Sequence, residues 1–235
     1  MRYHGQIQEP MLEIFSSIFP ENVFFKIADP WMWETPVCSA EEALIARAVD
    51  KRKREFRAGR NCAHALFKEH GIACDALLKG TQREPAWPEG WAGSITHTDG
   101  MCAVAIASQS HYLGIGLDVE QDGPLSDGVR KMICSPSEED HISALKARDD
   151  HRFGSLALDK VIFSAKESFH KIYFPLNYQT LGFLDARVDF DPTDNAFMAT
   201  ILNPKPEPPF PITTVRGRYC FMDGLVATFI AFKRL

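Results

Sequence analysis

No apolar run in the sequence approaches the roughly 20 residues that cross a bilayer, so no membrane-spanning helix is expected. The first twenty residues, MRYHGQIQEPMLEIFSSIFP, lack a basic start followed by an unbroken apolar stretch and make a poor signal peptide. Six cysteines are scattered along the chain without one C-x-x-C pair. Reduced thiols in the cytoplasm fit that spacing better than disulfides or a zinc site. An excess of positive charge is also missing. Against 31 Asp and Glu stand 26 Lys and Arg, a net charge of −5, which argues against nucleic acid binding over the whole surface.

What is present is a 235-residue chain with 45% hydrophobic residues, long enough to bury a sizeable core. The aromatic, proline-rich first forty residues read as short strands and turns. Residues 41–70 are helical in pattern, with Gly71 as the stop. Residues 80–93 form a loop, and strands follow at 93–97 and 101–108, joined by Asp99-Gly100. The stretch GIGLDVE (114–120) is a third strand. Residues 121–155 are polar and irregular with some helix. A helix over 156–174 is stopped by Pro175. Strands at 186–190 and 197–202, the loop NPKPEPPFP and a final hairpin complete the chain.

That last hairpin repeats the first. GSITHTDGMCAVAIA (93–107) aligns without gaps on GRYCFMDGLVATFIA (217–231), with six of fifteen positions identical, including both Asp-Gly turns. Either two hairpins converged on one turn chemistry or an α+β unit was duplicated. The second copy has Arg218 and Phe221 where the first has Ser94 and His97, so chemistry at the first hairpin is absent from the second.

Four features could carry chemistry. In GIGLDVE, Asp118 and Glu120 share one strand face, with Val119 opposite. Such a pair is either a polar strand edge or half of a site for a hard cation. On the helix FSAKESFHKIYFP, an apolar stripe runs through Leu158, Ile162, Ala165, Phe169 and Ile172. Lys160, Ser164, Glu167 and Lys171 fall on the other face, where Glu167 and Lys171 have the spacing of a surface ion pair. In KRKREFRAGR (51–60), helical phase puts Arg52 and Arg60 about 40° either side of a core line through Ile45, Val49, Phe56, Ala63 and Phe67. Each arginine there needs an anion or an internal carboxylate. His97 ends the strand SITH beside the Asp99-Gly100 turn, and Lys79 and Arg83 could add charge to the same anion. The other seven histidines have no such context.

Together these segments resemble the 4′-phosphopantetheinyl transferase superfamily, in its bacterial branch serving siderophore and polyketide synthases. The motifs RKREFRAGRNCAHAL, KGTQREPAWPEGWAGSITHT, LGIGLDVE and FSAKESFHKIYFPL occur in the family's order, followed by the weaker LGFLDARVDF and the closing GRY…GLVATFIA. The resemblance implies an α+β fold built as a pseudo-twofold duplication, halves 1–122 and 123–235, with the active site in the cleft between them. It implies transfer of 4′-phosphopantetheine from coenzyme A to a serine of acyl or peptidyl carrier domains, releasing 3′,5′-ADP, in siderophore, polyketide, nonribosomal peptide or fatty acid synthesis. By position, Asp118, Glu120 and Glu167 are expected around Mg²⁺ (Mn²⁺ as an alternative), with Glu167 or a metal-bound water as base. Lys171 is expected at the pyrophosphate with Lys166 alongside, and Arg52, Arg60, Lys79, Arg83 and His97 at the coenzyme A phosphates, with Ser94 and Thr96 as weaker contacts. Thr96 stands where many relatives have Ser, keeping a hydroxyl. Val119 stands where some have a polar residue, which limits this strand to two ligands. A monomer is expected. A metal-dependent nuclease or phosphohydrolase would use similar residue types, and a carrier-binding module without catalysis would have lost the acids or Lys171.

Overall fold

The computed structural model describes residues 9–191 and 194–233; His4 and the rest of the N-terminal stretch lie outside them. The elements in chain order are α1 (Glu9–Ser16), β1 (Val23–Ile27), α2 (Pro30–Glu34), α3 (Ser39–Ala43), α4 (Asp50–Glu69), β2 (Trp91–Thr98), β3 (Met101–Ser108) and β4 (Tyr112–Gln121). They continue with α5 (Asp127–Ile133), α6 (Pro136–Arg148), α7 (Asp150–Phe153), α8 (Leu158–Asn177), β5 (Ala186–Asp191), β6 (Ala196–Ile201), β7 (Thr214–Met222) and β8 (Leu225–Lys233). Helices and antiparallel strands occupy separate stretches, an α+β fold.

The described residues form two sheets, one of order β1-β3-β2 and one of order β4-β8-β7-β6-β5. Both repeated hairpins form as their turns dictate. Thr98 pairs with Met101 and Met222 with Leu225, so each loop is the Asp-Gly pair alone, with Gly100 and Gly224 at φ +78° and +77°. The third apolar strand does not extend the first hairpin's ladder. β4 pairs antiparallel with β8, from Gln121↔Leu225 to Tyr112↔Lys233. Against β2 it is joined instead by side chains. The Leu117 and Val119 amides donate to Ser94 Oγ and Thr96 Oγ1, both at 2.9 Å.

Several sequence expectations need correction. The first forty residues contain helices α1 and α2 beside one strand. The helix expected from residue 41 breaks into α3 and α4, and the two are tied by a two-point ion pair of Glu42 with Arg57 at 2.8 and 2.9 Å. Its end is as expected: Gly71 is left-handed, and the Ile72 amide reaches the Phe67 carbonyl at 2.8 Å, a Schellman closure. The stretch 121–155 is largely helical, opened at α6 by a Ser135–Glu138 capping box with Pro136 at the first turn. Finally, α8 runs through Pro175 to Asn177. Beyond the proline, Leu176 packs against Gly114 and Asn177 accepts the Phe210 amide at 2.8 Å, and these contacts outweigh the lost helix hydrogen bond.

Candidate active site

The alternation in GIGLDVE builds the site. Ile115, Leu117 and Val119 are fully buried, while Gly114, Gly116, Asp118 and Glu120 share the opposite face. The glycines let α8 approach: a Cβ on Gly116 would be driven into the Ser168 carbonyl oxygen. The helix is pinned by small residues on the same side. Ser164 and Ser168 hydroxyls bond Thr228 Oγ1 at 2.9 and 2.7 Å, and Thr228 is the β8 partner of Asp118. Ser164 is thus fully buried, not on an exposed face as its helical phase suggested.

This packing brings Lys171 onto β4. Its ammonium donates to Asp118 Oδ1 at 2.9 Å and to the Leu117 carbonyl at 2.8 Å. The surface pair with Glu167 expected from spacing is not formed. Asp118 is 5% exposed. Thr96 Oγ1 donates to its Oδ1 at 3.3 Å, while Oδ2 is buried with no hydrogen-bond partner. Two further carboxylates feel this charge. Burial, and then the charge of Asp118, push Glu120 up to about 6 and raise Glu167 as well. Two carboxylates raised partly by a third, whose buried Oδ2 has no hydrogen-bond partner, are the oxygen donors a hard divalent cation favours. Among the described residues no three such side chains already stand at ligating distance.

A cationic group lies at the same end of β2, around His97, the residue after Thr96. Arg52 Nη1 donates to His97 Nε2 at 2.8 Å, and His97 Nδ1 lies 3.8 Å from Glu55 Oε2. Burial, opposed by Glu55 and reinforced by Arg52, lowers His97 below its ordinary value, consistent with a neutral ring accepting from Arg52. The two arginines differ in depth. The Arg52 side chain is 50% exposed, despite its phase, because it sits in the first turn of α4; Arg60, two turns on, is buried. Arg60 stacks on Phe56 at 4.6 Å, its Nε lies 3.8 Å from Glu41 Oε1, and burial lowers it to about 10. Lys79 approaches the same ring at 5.9 Å, and burial together with Arg52, Arg60 and Arg83 lowers it. Three arginines gathered around Lys79 are a grouping of charge suited to a multiply charged anion. Arg83 reaches this group from a left-handed backbone, φ +74°.

Three expected contacts are placed differently. Ser94 and Thr96 are buried, with hydroxyls engaged by the β4 backbone, so they position β4. Lys166 is buried and points elsewhere, donating to Glu138 Oε2 at 2.9 Å and to the Ile133 carbonyl at 2.8 Å. Glu138 itself also accepts the Val188 amide at 2.8 Å. Sequence reasoning also passed over His64 and His170. His64 bonds Glu41 at 2.9 Å. His170, lowered by burial and then by Lys171, follows Glu167 by three residues. With Glu167, Phe169, Leu181 and Phe183 it lines a cavity of about 250 Å³. The i, i+3 spacing of Glu167 and His170 was the available signal.

Residues 40–107 match the family model described as 4′-phosphopantetheinyl transferase N-terminal domain, and residues 114–219 that of the 4′-phosphopantetheinyl transferase superfamily. The chain is 39% identical over 194 residues to 4′-phosphopantetheinyl transferase Svp of Streptomyces mobaraensis, covering 81% of this chain and 76% of that protein. It is 33% identical over 229 residues to 4′-phosphopantetheinyl transferase PptT of Mycobacterium tuberculosis, covering 92% and 97%. Enterobactin synthase component D of Escherichia coli (strain K12) is 34% identical over 149 residues, 62% of this chain and 66% of that protein.

Proposed function

The chain belongs to the 4′-phosphopantetheinyl transferase superfamily and is an enzyme of that class, and we propose that it moves 4′-phosphopantetheine from coenzyme A to a carrier-domain serine at the Asp118–Glu167–Lys171 site. The observation that carries this reading is the buried Asp118, with one oxygen held by Lys171 and the other open, facing two carboxylates of raised pKa.

The coenzyme's phosphates meet the cations. Arg60, Lys79, Arg52 and Arg83, with His97 beside them, bind the 3′-phosphate and its neighbours, arginine giving two-point contacts. Asp118, Glu120 and Glu167 would hold Mg²⁺ or Mn²⁺, and Val119, facing the core, leaves the strand two ligands. Such an ion supplies charge neutralisation at the scissile phosphoanhydride. Lys171 stabilises charge growing on the pyrophosphate. Glu167, whose raised pKa suits a general base, takes the serine proton as Oγ bonds to phosphorus. The phosphorus–oxygen bond to the departing nucleotide breaks, and 3′,5′-ADP leaves. The cavity beside Glu167 and His170 suits the uncharged pantetheine arm.

The duplicated-unit reading is supported by two hairpins that each close through a two-residue Asp-Gly loop, and a cleft between the halves is the site it implies. A cytoplasmic location is part of the same proposal, supported by six free cysteines, and so is a monomer, which the duplicated-unit reading supports. The similarity to enterobactin synthase component D supports a place in siderophore or related carrier-bound synthesis. The test is to incubate the protein with an apo carrier domain, coenzyme A and Mg²⁺ and to measure the carrier's intact mass. A gain of one phosphopantetheine is expected, and no gain across several carrier types would refute the reading.

A further inference from the structure

We propose that Glu41, a buried carboxylate outside the reacting centre, is the positioning residue of the cationic site, holding Arg60 and the Leu77–Lys79 segment in place. This rests on the proposed function. Glu41 is 0% exposed yet belongs to a five-residue helix that would otherwise lie on the surface. Burying a carboxylate is costly unless it is bonded on several sides, and it is. Its Oε1 accepts the Leu77 amide at 2.9 Å and His64 Nε2 at 2.9 Å, with Arg60 Nε at 3.8 Å. Its Oε2 accepts Cys38 Sγ at 3.4 Å.

One carboxylate therefore ties together three separate pieces of chain: α3, the middle of α4, and the segment leading to Lys79. Leu77 is itself fully buried, so its amide has a fixed place, and Lys79 follows two residues on. Arg60 Nε is buried without a hydrogen-bond partner, so Glu41 orients this guanidinium by charge rather than by closing its hydrogen bonds. Arg60 thus keeps donors for an incoming phosphate. Between like charges that repel, Glu41 is also the buried counter-charge that lets Arg60 and Lys79 share the Phe56 ring before any anion arrives.

The test compares binding of coenzyme A and 3′-dephospho-coenzyme A by calorimetry, together with the KM and kcat for carrier loading. In Glu41→Gln the shape stays and the charge goes. Coenzyme A affinity is expected to fall about tenfold, as for other residues that orient a binding group, and dephospho-coenzyme A affinity to fall much less. The KM for coenzyme A rises accordingly, while kcat at saturating coenzyme A changes far less. Unchanged or tighter binding of coenzyme A, or equal losses for both ligands, would overturn the inference. A wild type that fails to bind coenzyme A would instead overturn the functional reading beneath it. Should Glu41→Gln not fold, Glu41→Asp, which withdraws the carboxylate by one methylene, serves the same comparison. Hydrogen exchange of the Leu77 amide in the wild type as fast as in an open loop would refute the clamp independently of any variant.

Discussion

The sharpest mechanical prediction concerns Gly116, where β4 and α8 touch. In Gly116→Ala the new methyl meets the Ser168 carbonyl oxygen, stands 2.8 Å from the Ser168 carbonyl carbon and 3.2 Å from Ile172 Cγ1. Backbone cannot rotate aside as a side chain can, so α8 must move out bodily. Overpacking of this kind costs about 1–3 kcal/mol, which for a chain of this size lowers the melting temperature by roughly 2–12 °C. The larger effect is on the site, because Lys171 and Glu167 ride on the displaced helix while Asp118 stays on the strand. A shift on the order of 1 Å is expected to lower carrier loading about 10²-fold. Gly114→Ala is the control. Its methyl meets only Ile172 and Leu176 side chains, at 3.2 and 3.3 Å, which can yield, so a milder loss is expected. Intact-mass kinetics and thermal melts on both variants give the comparison. Wild-type loading by a stable Gly116→Ala protein would refute the claim that close contact of strand and helix assembles the site.

Two further predictions concern charge. Lys171→Met leaves Asp118 buried without its cation. Because the Lys171 side chain is 27% exposed, the loss belongs at the low end for a broken buried pair, about 3 kcal/mol by urea unfolding. The double variant Asp118→Asn with Lys171→Met should recover most of it, and no recovery would contradict the pairing. For pH, Glu120 is raised from 4.5 to about 6 in the folded chain, so between those values the folded state binds more protons than the unfolded one. Stability without metal must then fall as pH rises through that window and level off above it. Glu120→Gln should flatten that slope when melts are recorded in chelator, and an unchanged slope would contradict the assignment.

Much of the site was legible because it rests on local periods. Strand alternation put Asp118 and Glu120 on one face, and two Asp-Gly pairs fixed two hairpins. Helical phase picked out Arg60, though it overstated the burial of Arg52, which the end of a helix frees from the core. What escaped depends on distant partners. Nothing near Lys171 shows that its ammonium crosses to Asp118, because that requires the glycines of β4 and the serines of α8 to meet over Thr228. Lys166 has the position of a pyrophosphate contact in its motif, yet it is held by Glu138, far back in the chain. Glu41 was invisible for the same reason: its partners at His64 and Leu77 are close only once the chain has folded.

The measurement that bears most directly on the central claim is the loading rate of an apo carrier domain by Asp118→Ala beside the wild type. It should be made at saturating coenzyme A and Mg²⁺, with melts to show that the variant is folded. The account predicts a folded protein with loading abolished, and the same for Glu167→Ala. A folded Asp118→Ala that loads carrier at a rate near the wild type would place the chemistry somewhere other than between β4 and α8.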